Sequence, residues 1–143
     1  MPNRPTVLII DDDRSMRLTL SMIVQEEGYS VLTAASGEEG LAVAERAPVD
    51  VALIDMKMPG ISGDEVCLAL KRIRPAAEVI LVTAHVAAEA AERAMAAGAD
   101  SIVYKPLDLD ALLGRISALT SHLARRDGEP RLAALSCGGG CRT

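Results

Sequence analysis

The stretch Thr6-Val7-Leu8-Ile9-Ile10-Asp11-Asp12-Asp13 passes in one step from uninterrupted apolar residues to three consecutive carboxylates. A strand half exposed to water alternates apolar and polar residues, whereas a continuous Val/Ile/Leu run suits a strand covered on both faces. Runs of this kind recur at 30–34, 49–54, 78–82 and 101–104, and helical spacing fills the gaps between them. Met16, Leu20, Ile23 and Val24 fall at i, i+4, i+7 and i+8, with Gly28 suited to end the helix. Ser36 followed by Glu39 has the spacing of a capping box opening a second helix. A third spans 63–73 with Pro75 just beyond it, and a fourth, at about 87–97, is dominated by alanine and ends at Gly98. Alanine favours helix but buries little surface, so the fourth helix is held by propensity more than by packing. The fifth opens near Asp108, a suitable cap, and sets Leu112, Leu113, Ile116, Leu119 and Leu123 on one stripe.

Strands alternating with helices predict an α/β fold, with a parallel sheet joined by right-handed crossovers. Such sheets bind ligands beyond the carboxyl ends of their strands. The first run ends in Asp11, Asp12 and Asp13, the third in Asp55, the fourth in Thr83 and the fifth in Lys105-Pro106. All four termini belong to one edge. Two carboxylates ~4 Å apart repel by roughly 4 kcal/mol at an effective dielectric near 20, so the cluster calls for a cation. Oxygen-only ligands point to a hard ion, most simply Mg2+.

The composition narrows the function classes. The 143 residues make about one domain, and with half of them hydrophobic the chain has enough for a core. A net charge of −5 gives no basic footprint for nucleic acid. Tyr29 and Tyr104 are the only aromatic residues, too few for a base-stacking platform. No apolar run reaches the ~20 residues of a membrane span, and the first residues lack a secretory pattern, so the expected location is cytoplasmic. Cys67 falls in a helical pattern, and Cys137 and Cys141 flank three glycines, a spacing that matches neither a Cys-x-x-Cys pair nor a zinc set. The folded pattern covers 1–126, and 127–143 read as a flexible tail.

The Asp11-Asp12 pair, Asp55 within Leu53-Ile54-Asp55-Met56-Lys57-Met58-Pro59-Gly60, the Val82-Thr83-Ala84 segment and Lys105-Pro106 together resemble a response-regulator receiver domain of the CheY type. The resemblance extends over about residues 6–123. It implies the flavodoxin-like (βα)5 three-layer sandwich, with strand order 2-1-3-4-5; CheY is itself a standard illustration of that order. It further implies that Asp55 accepts a phosphoryl group from a sensor histidine kinase or phosphotransfer protein. Asp11, Asp12, Asp55 and the backbone carbonyl of Lys57 would hold Mg2+. Lys105 and Thr83 would contact phosphoryl oxygens, and a cis Lys105–Pro106 bond would aim Lys105 inward. Such a chain is a phosphoacceptor assisting its own phosphorylation and dephosphorylation rather than an enzyme acting on an external substrate.

Three positions depart from the family's common pattern. Ile102 stands where many members carry an aromatic switch residue, and Lys57 and His85 flank the phosphoryl site. Asp13 reads as a helix cap, outside the metal set. Gly60 and Gly63 shape a turn, and Arg125 and Arg126 suit a solvated helix end. With no output module in the pattern, a stand-alone receiver is expected, signalling to an unknown downstream protein and dimerising weakly when phosphorylated. Asp100 and Arg115 are candidate charges on its outer face. One alternative is a receiver-fold interaction module switched without phosphorylation. Another, an aspartyl phosphatase of haloacid-dehalogenase type, wants an acid two residues after Asp55, where Lys57 stands.

Overall fold

The computed structural model describes residues 4–84 and 88–128, those of 88–91 and 122–128 by their backbone alone. His85, Cys137 and Cys141 lie outside the described residues, and so does the side chain of Leu123. The elements run β1 (Thr6–Ile10), α1 (Arg14–Glu26), β2 (Ser30–Ala34), α2 (Gly37–Arg46), β3 (Val51–Asp55), α3 (Gly63–Ile73), β4 (Glu78–Thr83), α4 (Ala88–Ala96), β5 (Ser101–Tyr104) and α5 (Leu109–Gly128). The five strands are parallel, in the order β2-β1-β3-β4-β5. This is the flavodoxin-like arrangement.

Strand periodicity sorts the core into two layers. Leu8, Ile10, Ala52, Ile54, Val79 and Leu81 point to one side, where Val66, Cys67 and Leu70 of α3 and Ala94 of α4 meet them. Val7, Ile9, Val51, Leu53 and Ile80 point to the other, against Leu20 and Val24 of α1 and Leu112 and Ile116 of α5. The central strands are therefore buried on both faces, as their unbroken apolar runs require.

Helix ends follow local chemistry. Asp13 caps α1, its Oδ1 accepting from Ser15 N–H at 3.0 Å, and Gly28 leaves the helix at φ 99°. Ser36 Oγ accepts from Glu39 N–H at 3.1 Å, but the Glu39 carboxylate reaches back to Ala35 N–H, one residue before the expected partner. Differences from expectation are confined to ends. The third strand begins at Val51 rather than 49, because Asp50 turns its carboxylate to Thr6 N–H at 2.8 Å and stands as a bridge between neighbouring strands. It also extends through Asp55. Helix α5 carries its backbone bonding on to Gly128, two residues past the expected end of the folded pattern.

Candidate functional site

Main-chain pairing places four side chains at one edge of the sheet. Asp11 is the first residue beyond β1, and its N–H still bonds to Ala34 carbonyl at 3.2 Å. Asp55 closes β3 in register with Val82, and Thr83 closes β4 in register with Tyr104. Lys105 follows β5, its N–H donating to Thr83 carbonyl at 2.8 Å. The Lys105–Pro106 bond is cis.

Carboxylate oxygens of Asp11, Asp12 and Asp55 all lie within 4.8 Å of one another. Asp11 and Asp55 are buried, at 5% and 7% exposure, while Asp12 is exposed. Lys105 Nζ donates to Asp55 Oδ1 at 3.4 Å. Among the described residues, one ammonium thus faces three carboxylates. Burial pushes the Asp11 carboxyl above its ordinary range; the hydrogen bond from Asp13 N–H and the charge of Lys105 oppose that, and Asp55 and Asp12 reinforce it. A clustered, oxygen-only, under-neutralised donor set suits a hard divalent cation, and Mg2+ fits its chemistry.

Thr83 is buried beside this cluster in the main-chain register just described. Lys57 is exposed on the loop after β3. Ile102 is half-buried and packs against the layer containing α3 and α4. Asp13, read as a cap, is one.

Two residues that the sequence reading did not connect to the site support it directly. Arg17 Nη1 donates to the Asp11 carbonyl at 2.9 Å. Gly63, the first residue of α3, donates its N–H to Met56 carbonyl at 2.9 Å and lies so close to β3 that a Cβ would stand 2.6 Å from the Asp55 carbonyl oxygen. The usable signal for Arg17 was its place one helical turn beyond the Asp13 cap, within reach of the preceding loop. Gly63, read from the sequence as a turn residue like Gly60, lacks the positive φ of Gly60 and is required instead by its close approach to β3.

Residues 7–117 match the response regulator receiver domain family. The chain belongs to that family. The receiver domain resembles the Mycobacterium tuberculosis transcriptional regulatory protein TcrA, 34% identical over 92% of this chain and 51% of that protein. It also resembles the Escherichia coli transcriptional regulatory protein GlrR, 37% identical over 78% of this chain and 26% of that protein. The chain thus spans about half, or less, of the length of these relatives. Among solved structures, a CheY-like receiver domain from Methanospirillum hungatei superposes with a TM-score of 0.81 at 32% identity, covering 86% of this chain and 98% of that one. The response regulator TrrA of Thermotoga maritima, solved in complex with Mg2+ and BeF, gives a TM-score of 0.73 at 34% identity over 80% and 98%. Among the described residues no helix of the receiver domain is long and apolar enough to cross a membrane.

Proposed function

We infer that this receiver domain accepts a phosphoryl group on Asp55 from a phosphohistidine of a sensor kinase or phosphotransfer protein. The observation that carries the reading is a buried carboxylate ending β3 within 4.8 Å of two further carboxylates and 3.4 Å from an ammonium. An Asp55 carboxylate oxygen attacks phosphorus, the new O–P bond forms as the P–N bond breaks, and that bond's electron pair leaves on a neutral imidazole whose other nitrogen already carries its proton. In this reading the Lys105 ammonium pairs with a phosphoryl oxygen and the Thr83 hydroxyl donates to another. Asp11, Asp12, Asp55 and the Lys57 carbonyl would hold Mg2+. When bound, the ion neutralises charge on the transferring group, where catalysis is mostly positioning and electrostatics. The TrrA complex with Mg2+ and BeF supports carrying this chemistry to the present chain.

Intact mass before and after treatment with acetyl phosphate and Mg2+ tests the reading. One added phosphoryl group, absent in Asp55→Asn, is expected. No gain in the wild type would leave the rival reading, a receiver fold switched without phosphorylation. The folded protein should also melt higher in millimolar Mg2+, with the effect much reduced in Asp12→Ala.

The same reading assigns modulating roles. Lys57, exposed beside the acceptor, shields the phosphoryl group from water, so Lys57→Ala should shorten its lifetime; His85 is the other residue assigned here. Ile102 lacks a ring to turn and its β-branch restricts its rotamers, so it stays packed while α4 shifts. Output runs through contacts with a downstream protein, with a monomer giving way to a weak dimer on phosphorylation. Sedimentation of the beryllofluoride-bound protein measures the latter.

A further inference from the structure

We propose that Arg17 is a positioning residue for the metal-binding carboxylates, a role that rests on the Mg2+ reading above. Only Asp11, Asp12 and Asp13 separate β1 from α1, so the pocket's two N-terminal ligands sit on a short link between rigid elements. The ladder registers of β1 end at Ile10, paired with Ala34 on one side and Ile54 on the other. Just beyond them the Asp11 carbonyl accepts from Arg17 Nη1 at 2.9 Å.

That bond closes a ring. Asp13 N–H donates to Asp11 Oδ1 at 2.9 Å, and Arg17 N–H donates to Asp13 carbonyl at 2.9 Å. The Arg17 side chain then returns from the first turn of α1 to the Asp11 carbonyl. Asp11 is held at both its main chain and one carboxylate oxygen, which leaves Oδ2 to face a cation. Asp12, between two fastened residues, inherits a fixed backbone although its side chain is exposed. The donor is a guanidinium, so the bond is charge-assisted with or without a metal. Among the described residues the guanidinium forms no ion pair with a carboxylate; it acts through the peptide that carries one.

Partners that orient metal ligands commonly change metal affinity by about 10–100-fold when removed. Arg17→Met keeps most of the apolar stem and removes the donor. Its Mg2+ affinity, from titration of melting temperature and from calorimetry with Mg2+ alone, should fall about tenfold. Arg17→Lys should recover part of the loss. Hydrogen exchange of the Asp13 amide, measured in EDTA, should quicken in Arg17→Met while core amides of β1 stay protected. Wild-type affinity in Arg17→Met, or unchanged Asp13 exchange in a folded variant, overturns the arginine's role alone. A wild-type protein that takes up no Mg2+ overturns the metal reading, and this proposal with it.

Discussion

Helices α3 and α4 contribute to the same apolar layer but are secured by different means. Helix α3 buries Val66, Cys67 and Leu70 completely, and its first residue presses main chain against main chain at Asp55. Helix α4 places the small Ala94 in that layer and leaves Met95 61% exposed. Polar ties from α3 reach α4 at Arg93 and the segment just after it at Ala97 and Asp100. Arg93 forms an ion pair with Asp64 at 3.6 Å, Cys67 Sγ donates to Ala97 carbonyl at 3.3 Å, and Lys71 pairs with Asp100 at 2.8 Å. Positions 64, 67 and 71 form one stripe along α3, and their partners at 93, 97 and 100 climb in step. The comparison teaches that a helix poor in large side chains can still be located when its neighbour supplies a ladder of polar contacts. Such contacts individually contribute less than buried Leu or Val, so α4 is held less firmly than α3, which is packed against Asp55.

The largest expected effect is kinetic. Burial pushes the Cys67 thiol up to about 11. Together with its inaccessibility, this should make alkylation at pH 8 at least a few hundredfold slower in the folded protein than in urea. The measurement uses a protein in which Cys137 and Cys141 are Ser. Faster labelling with beryllofluoride would show α4 parting from α3; the same change at core amides of α3 would break the contrast.

Next is Gly63→Ala. A Cβ there meets the backbone of Asp55 and Met56, both at 2.6 Å, which no side-chain rotation relieves. A loss of about 2–3 kcal/mol in urea unfolding is expected, with slower phosphorylation. Asp100→Ala should cost about 2 kcal/mol, because the Asp100 carboxylate also accepts from the Val79 N–H at 2.8 Å and that donor would lose its partner. The smallest effect is Arg93→Ala, below about 1 kcal/mol, since the arginine is mostly exposed. Burial raises the Asp64 carboxyl, but the Ser62 hydroxyl, backbone N–H groups and Arg93 outweigh it and hold the carboxyl below its ordinary 3.8. The pair's contribution is therefore present above pH 3.8 and lost as pH falls through the lower, folded value. Denaturation of wild type and Arg93→Ala should converge at acid pH.

The sheet was readable because its middle strands are buried on both faces, so their apolar runs stand out from the helical spacing around them. The pocket was readable for a related reason: strand ends in a parallel sheet share an edge, so Asp11, Asp12, Asp55, Thr83 and Lys105 could be grouped from their places in the chain. What escaped was pairing across long separations. Nothing in the local pattern of Lys71 announces Asp100, 29 residues on. Asp100 accordingly read as a candidate outer-face charge, whereas its carboxylate is engaged by Lys71 and the Val79 N–H. The weak anchoring of α4 was legible in its alanines, but the ladder beside it was not. Thr120 is a further case, a polar residue buried on α5 whose hydroxyl is satisfied by Ile116 carbonyl at 2.8 Å.

The borders of the sheet bear on how the domain meets other chains. On one side lies β2, only five residues long, with Ser30 and Thr33 exposed. On the other lies β5, four residues long, followed by a lysine whose N–H is already engaged and then by Pro106, which has none to offer. Short, polar and proline-stopped borders make poor templates for a foreign strand. Growth of the sheet by strand addition, the usual route to runaway self-association in α/β and β proteins, is thereby discouraged. Helix faces and the loops at the acidic end are the surfaces where contacts can form and dissolve without unravelling the sheet.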